Sequence, residues 1–312
     1  MEKARFKWVL RERNRKIAAK TEVFTEQQAR RVRSFHSSFK EYSPTPLIEL
    51  TSLAQHLGIK NLFVKDESYR FELNAFKVLG GSFAIGSYIA NELGEDIDDL
   101  PYMRLVSDEV RSLLGSKTFI TTTDGNHGRG VAWTANRLKQ QAIVYMPQGS
   151  AAERLANIRA EGAQAEITDM NYDDTVRYTS ELAQKNGWII VQDTAWDGYT
   201  RIPLWIMQGY MTMALEAYEQ LPVKPTHIFL QAGVGSLAGS VQGFFADIYG
   251  SSCPLTFIVE PKGADCLYQT AAANDGSLHS VTGRLETIMA GRAKQYCLGN
   301  TWKFERWFYQ LS

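Results

Sequence analysis

From residue 42 onward, short apolar runs alternate with longer stretches in which apolar residues recur at helical spacing. The runs predict strands at residues 61–65, 118–123, 142–146, 165–168, 188–192, 227–231 and 255–260. The stretches between them predict helices at residues 75–92, 128–140, 151–161, 173–186 and 203–220. Strands that alternate with helices of this length call for parallel sheets with helices on both faces. The pattern therefore predicts an α/β fold.

Residues 93–117 have the weakest pattern between these elements and are rich in acidic side chains, so we expect a surface insertion there. No internal repeat, low-complexity tract or Pro/Ser-rich linker interrupts the chain. A second domain would therefore be intertwined with the first rather than follow it along the sequence.

The charge of the chain is balanced, with 34 basic and 34 acidic side chains, and this argues against nucleic acid as a partner. Residues 1–40 are nevertheless basic, with 12 Lys/Arg against 4 Asp/Glu. A nucleic-acid-binding arm is one interpretation of this segment. We favour an amphipathic helix packed on the body, because apolar residues interleave with the charges: Trp8, Val9, Ile17, Val23, Phe24, Val32, Phe35 and Phe39.

The composition favours a folded globular protein, because 44% hydrophobic residues suffice for a sizeable core. The three cysteines, Cys253, Cys266 and Cys297, form no CxxC pair, which favours a reducing compartment and no metal site. No apolar run reaches the roughly 18 residues of a membrane span, and the first residues lack the apolar core of a signal peptide. We therefore expect a cytoplasmic protein with no membrane partner.

Ligands of α/β sheets bind at the carboxyl ends of strands, and a glycine-rich loop follows the predicted strand 118–123. It reads Asp124-Gly-Asn-His-Gly-Arg-Gly130. Its glycines permit close approach of the backbone to a flat ligand, and Asn126 offers both a donor and an acceptor. The alternative is a glycine-rich turn in which Asp124 caps the following helix.

A second loop of small residues, Ala232-Gly-Val-Gly-Ser-Leu-Ala-Gly239, follows the predicted strand 227–231. Backbone amides at the start of a helix form an anion site, and the Ser236 hydroxyl adds a donor for a phosphate. The loop lacks the lysine of a Walker motif, and its spacing to later residues fits a dinucleotide-binding motif poorly. On its own the pattern is weak evidence.

Lys77 lies among apolar and small residues in Asn74-Ala-Phe-Lys-Val-Leu-Gly-Gly81. An amine in such surroundings is a better nucleophile towards an aldehyde, although a lysine that reaches the surface from a helix end is the simpler interpretation. A reactive amine, a glycine-rich loop with an Asn and a phosphate cradle are together what pyridoxal phosphate requires. The three features therefore point to that cofactor.

These motifs occur within a longer resemblance, which covers about residues 30–291 in the same order along the chain. It is carried by residues 43–47, 64–68, 74–81, 121–133, 168–177, 191–199 and 231–236. Over this length the chain resembles the diaminopropionate ammonia-lyases, a family of fold-type II pyridoxal phosphate enzymes similar to tryptophan synthase β and threonine dehydratase. The resemblance implies parallel sheets flanked by helices in two intertwined domains.

The resemblance implies that Lys77 binds the aldehyde of pyridoxal 5'-phosphate and that Asn126 lies near its 3-oxygen. It places the phosphate on the loop residues Gly233, Val234, Gly235 and Ser236. We expect a large cofactor-binding domain made of residues 1–85 and 180–312, and a small domain made of residues 86–179. The habit of the family, together with the apolar N-terminal helix, implies a homodimer.

The family cleaves either enantiomer of 2,3-diaminopropionate to pyruvate and ammonia, and its two acidic site residues match Asp124 and Asp193. A carboxylate can hold the β-ammonium of this substrate or remove an α-proton. Without the resemblance, we would favour a helix cap for Asp124 and a helix cap or turn residue for Asp193. A serine or threonine dehydratase and an inactive remnant that binds the cofactor weakly are the alternative functions.

The sequence departs from the family after Gly291, and residues 292–312 show no family motif. We expect that a truncation or a shift of reading frame produced this tail, which would leave the C-terminal part of the large domain incomplete. Because the lost segments would bury apolar surface and close one wall of the cofactor pocket, activity of the 312-residue chain stays an open question at this point.

Overall fold

The structure is a computed structural model that describes residues 7–10, 21–275, 277–279 and 281. Its strands are β1 (Leu47–Glu49), β2 (Phe63–Lys65), β3 (Thr118–Thr122), β4 (Gln141–Met146), β5 (Gln164–Ile167), β6 (Ile189–Ile190), β7 (His227–Gln231) and β8 (Leu255–Val259). Its first helices are α1 (Glu26–Ser37), α2 (Thr51–Leu57), α3 (Lys77–Leu93), α4 (Tyr102–Leu105), α5 (Asp108–Leu114) and α6 (Asn126–Arg137). The later ones are α7 (Ala152–Ala160), α8 (Tyr172–Asn186), α9 (Arg201–Gln220), α10 (Ser236–Tyr249) and α11 (Cys266–Ala273).

The central sheet has four parallel strands in the order β5-β4-β3-β6. Strands β7 and β8 form a separate parallel pair, and β1 and β2 form an antiparallel pair. Helices separate the parallel strands along the chain, which is the arrangement that a right-handed crossover requires. The predicted α/β fold with parallel sheets is confirmed.

Two local predictions differ from the structure in detail. The stretch 93–117 has more regular structure than its weak pattern indicates, because it contains α4 and α5 and buries Leu100, Leu105 and Val110. The strand predicted at 188–192 is reduced to the two residues of β6. The neighbouring strand β3 continues to Thr122, so β6 ends while its partner goes on. The residues after β6 therefore turn out of the sheet, and this turn helps to form the functional site.

The basic N-terminal segment packs on the body through α1, as expected for an amphipathic helix. Phe24, Val32 and Phe35 are buried, and α1 lies against α9 and α3. Trp8 is 81% exposed, so the predicted packing does not extend to that residue. Ile17 lies outside the described residues.

Helix α3, which begins at Lys77, is pressed against α9 at a position where a side chain does not fit. A Cβ atom on Gly209 of α9 would lie 2.3 Å from the backbone oxygen of Leu79. Glycine therefore allows the two helices to approach at backbone contact. This crossing fixes the start of α3 relative to the rest of the molecule.

The proposed division into residues 1–85 with 180–312 and residues 86–179 stays a prediction. In the structure the proposed boundary at residue 180 falls inside helix α8, and β6, from the proposed large domain, belongs to the same sheet as β3, from the proposed small one.

Within the described part of the chain, no helix is long and apolar enough to cross a membrane.

Candidate active site

One cavity gathers every residue that the sequence singled out. It opens where β3, β6 and β7 end, at the edge of the sheets where α/β proteins bind ligands. The predicted site residues that line it are Lys77, Asp124, Asn126, Asp193, Gly233, Val234, Gly235 and Ser236. The fold thus brings together three loops that lie far apart in the sequence.

Lys77 and Asp193 form an ion pair inside this cavity. The Lys77 Nζ atom lies 2.6 Å from Oδ2 of Asp193, whose side chain is 1% exposed. The Lys77 side chain is 22% exposed and points between two aromatic rings, with its Nζ 5.7 Å from the ring centres of Phe76 and Tyr210. A buried carboxylate requires such a partner, because an unpaired charge away from water is costly. The surface lysine that the sequence left as an alternative is therefore not what the structure shows.

The turn that delivers Lys77 is anchored by a buried network around Arg70. The Arg70 guanidinium donates hydrogen bonds to Glu67 at 2.8 Å and to Glu216 of α9 at 2.7 Å. Burial alone would raise the pKa of Glu216, but the hydrogen bonds and charge of Arg70, with Lys65, lower it to about 2. The network therefore stays ionised at neutral pH and ties the segment before Lys77 to α9.

The loop after β3 carries Asp124 into the cavity without using it as a helix cap. Helix α6 begins at Asn126, is preceded by Gly125, and receives no capping hydrogen bond from a side chain of the described residues. The Thr123 hydroxyl accepts the Gly125 N–H at 3.0 Å, which fixes the loop. Asp193 likewise starts no helix, since α9 is preceded by Thr200. The capping interpretations of both acids are therefore not supported.

The second glycine-rich loop connects β7 to α10 and has the backbone features that the predicted anion site requires. Gly235 precedes the helix with φ 96°, a left-handed conformation that a side chain would strain. Ser236 is the first residue of a helix of 14 residues, whose N-terminal amides and dipole favour a negative group. The amine of Lys77, the amide of Asn126 and this loop all line one cavity, so the residues present fit pyridoxal phosphate.

The sequence indicated no role for two side chains that line the cavity, nor for Glu260, which contacts the Cys266 thiol behind Gly233. Arg154 of α7 and His127 of α6 line the cavity, and Arg154 donates a hydrogen bond to the Asp124 carbonyl at 3.0 Å. Glu260, just after β8, accepts the backbone N–H groups of Leu267 and Tyr268; burial outweighs these bonds and raises its pKa to about 7. Arg154 and Glu260 also follow strands, so a search of every strand end would have found them.

The architecture and the site define a class of enzyme that uses pyridoxal phosphate, and comparison with known proteins agrees. Residues 39–303 match the model of a family described as pyridoxal-phosphate dependent enzyme, and the chain belongs to that family. The expected cofactor is confirmed at this level. Among the described residues, no group of His, Cys, Asp or Glu could hold a metal ion.

Individual relatives narrow the class. The chain is 53% identical over 266 residues to the diaminopropionate ammonia-lyase of Salmonella typhimurium, covering 84% of this chain and 66% of the relative. It is 50% identical over 275 residues to the Escherichia coli K12 enzyme of the same name, covering 87% and 67%. The crystal structure of the Escherichia coli enzyme with D-serine superposes with a TM-score of 0.84 at 48% identity, covering 91% of this chain and 70% of that one.

The chain thus spans about two thirds of the length of these curated relatives. The family match runs to residue 303, beyond the departure that the motifs indicate after Gly291. The unusual tail at residues 292–312 lies outside the described residues.

The anion site can be tested by placing a charge in it. We expect Gly235→Asp to lower affinity for pyridoxal phosphate about tenfold or more, because the side chain blocks the amides and repels the phosphate. Gly250→Asp is the matched control, since Gly250 ends the same helix with φ 52° and open space around it. Titration of each variant with the cofactor measures the effect, and equal affinities in the two variants would contradict this placement of the phosphate.

Proposed function

We propose that this chain carries the site of an enzyme that converts 2,3-diaminopropionate and water to pyruvate and two molecules of ammonia. The observation that carries the proposal is that Lys77, its ion-pair partner Asp193 and a second acid, Asp124, line one cavity with the glycine-rich loop Gly233–Ser236. The similarity to diaminopropionate ammonia-lyases, at about half of all aligned positions, supports it.

Each predicted site residue in the cavity has a role in this proposal. Lys77 would bind the cofactor through its aldehyde, Asn126 would face the 3-oxygen, and the loop Gly233–Ser236 would hold the phosphate. When bound, pyridoxal phosphate supplies an electron sink that makes the α-proton of an amino acid acidic. The side chains around it then select the substrate and move its protons.

The two carboxylates favour a substrate that carries a second ammonium. Asp193 already binds the ammonium of Lys77 at 2.6 Å, which illustrates how this carboxylate can hold a cationic nitrogen. The Asp124 carboxylate lies on the loop after β3, and either acid could accept an α-proton at hydrogen-bond range. A serine hydroxyl would gain less from two anionic neighbours than a β-ammonium does.

The main alternative is a dehydratase of serine or threonine. The chain is 29% identical over 195 residues to a catabolic L-threonine dehydratase of Staphylococcus aureus, a weaker similarity over 62% of this chain. A remnant that binds the cofactor but does not catalyse a reaction is the alternative that is not an enzyme.

We also propose that the protein forms a homodimer and is located in the cytoplasm. Measurement of the molecular mass in solution tests the homodimer.

Substrate choice can be tested by measuring pyruvate release from diaminopropionate and from serine with the same loaded protein. We expect kcat/KM to be about 100-fold or more higher for diaminopropionate, because removal of an ammonium partner leaves the carboxylates unpaired. Lys77→Ala should abolish release from both substrates. Faster turnover of serine would favour the dehydratase, and no turnover of either would favour the remnant.

The roles of the two acids can be separated with the enantiomers of diaminopropionate. Because a base reaches the α-proton from its own side alone, each acid should serve one enantiomer, with losses of about 100-fold to 10,000-fold on removal. From the family resemblance, we expect Asp124→Asn to affect the D-isomer more and Asp193→Asn the L-isomer more. The kcat/KM values are measured in this chain and in a version extended by the C-terminal segment of the family. Equal losses on both isomers would show that the acids share one role.

A further inference from the structure

Asp193 begins a short hairpin that ends at Tyr199, between β6 and α9. Trp196 and Tyr199 pair as an antiparallel bridge across this hairpin, and their rings stack with centres 4.1 Å apart. Gly198 takes a left-handed conformation, φ 81°, at the turn. The hairpin is thus closed on itself and brings the Tyr199 side chain back to the end of β6.

The main chain leaves the sheet just before Asp193. The Val191 N–H still donates to Ile120 of β3 at 2.9 Å, but the next donor of β3, the Thr122 N–H, is accepted by the Gln192 side chain at 3.1 Å. The side-chain amide of Gln192 therefore replaces a ladder hydrogen bond. Its backbone turns away from β3 and carries Asp193 towards Lys77.

The Tyr199 hydroxyl holds the backbone at this point of departure. It accepts the Gln192 N–H at 2.8 Å and donates to the Ile190 carbonyl at 2.9 Å, so that it bonds two of the three residues that precede Asp193. His127 Nε2 donates to the carbonyl between them, Val191, at 2.8 Å. Two side chains thus take over the role that the sheet ladder plays for a regular strand.

The hydroxyl keeps the proton that this arrangement needs. Burial raises the pKa of Tyr199 well above its ordinary value; the hydrogen bond with Gln192 opposes this, and the Asp193 carboxylate adds to it. A protonated hydroxyl can donate and accept at once, which a phenolate cannot do. Asp193 itself is buried and pairs with Lys77, so a small backbone shift would separate the two charges.

We propose that Tyr199 is the positioning residue that holds the Asp193 carboxylate against the Lys77 amine. Its hydroxyl acts through the backbone of residues 190–192. The use of Asp193 in catalysis rests on the proposed function, but its placement by Tyr199 does not.

Tyr199→Phe tests this assignment, because it keeps the ring on Trp196 and removes both hydrogen bonds. In the cofactor-free chain, an amine-directed acylating reagent should label Lys77 several-fold faster in this variant and in Asp193→Asn, because the amine is then released from its 2.6 Å contact with the carboxylate. Mass spectrometry of the digested protein gives the rate for each lysine. Tyr178→Phe is the matched control, because Tyr178 packs on Tyr145 outside the cavity.

Lys65 serves as the internal reference for unfolding. It is buried and bonded to Glu216 at 2.8 Å, so a general loss of structure would expose it as well. The proposal predicts faster labelling of Lys77 at an unchanged Lys65 rate. An unchanged Lys77 rate in Tyr199→Phe, or a parallel rise at Lys65, would overturn it, and so would an unchanged Lys77 rate in Asp193→Asn.

A second readout uses the loaded protein and depends on the proposed function. Tyr199→Phe should lower kcat for diaminopropionate about tenfold with KM changed less than about twofold, since the substrate contacts remain while the base is displaced. Faster labelling of Lys77 without any turnover in the unsubstituted chain would contradict the proposed function and leave the positioning role supported. Normal kcat in Tyr199→Phe together with an unchanged Lys77 labelling rate would overturn the positioning role, whereas normal kcat with faster labelling would contradict the use of Asp193 in catalysis.

Discussion

The ion pair between Lys77 and Asp193 is the interaction around which the site is built. A carboxylate that is 1% exposed can stay charged at modest cost only if a cation and hydrogen-bond donors reach it. The first residue of α3 must therefore meet the end of β6, although the two lie 116 positions apart in the sequence. Much of the surrounding structure serves to bring these two residues together.

On the lysine side, the constraint is met by close helix packing and a buried ion network. Gly209 lets α9 touch the backbone of α3, and Arg70 ties the preceding turn to Glu216 on the same helix α9. Since the pKa of Glu216 is lowered to about 2, its contribution to folding is present above the ordinary carboxyl range and is lost as the pH falls towards 2. The position of Lys77 is thus secured across the neutral range.

On the carboxylate side, the constraint is met by ending a strand early. Parallel strands direct their carboxyl ends to one edge of the sheet, which explains why Asp124 and Asp193 share a cavity. Regular pairing would keep residue 193 in the plane of the sheet. The side chains of Gln192 and Tyr199 replace the ladder and let the backbone turn towards Lys77.

Hydrophobic pattern predicted most of the regular structure, because strands β3, β4 and β7 and the helices between them have clear periods. Glycine-rich loops at strand ends pointed to Asn126 and to the loop Gly233–Ser236, whereas Asp124 and Asp193 were assigned from the family resemblance. The pattern failed at residues 188–192, where four apolar residues before Gln192 look like a full strand. The Ile190 carbonyl and the Gln192 N–H bond to the Tyr199 hydroxyl instead of to a neighbouring strand. Arg154 was missed because its contact with the Asp124 carbonyl joins positions 30 residues apart. Tyr199 was missed because its hydroxyl bonds backbone groups of a stretch that the apolar pattern assigns to a regular strand.

The proposed function depends most directly on Lys77, which we expect to be the residue that binds pyridoxal phosphate in this cavity. Borohydride reduction of the protein after incubation with the cofactor fixes it on the lysine to which it is bound, and peptide mass spectrometry identifies that lysine. We expect one modified peptide, which contains Lys77. The modification should be lost when free phosphate competes with the cofactor at high concentration. Modification of a different lysine, or of many lysines to similar extents, would contradict it.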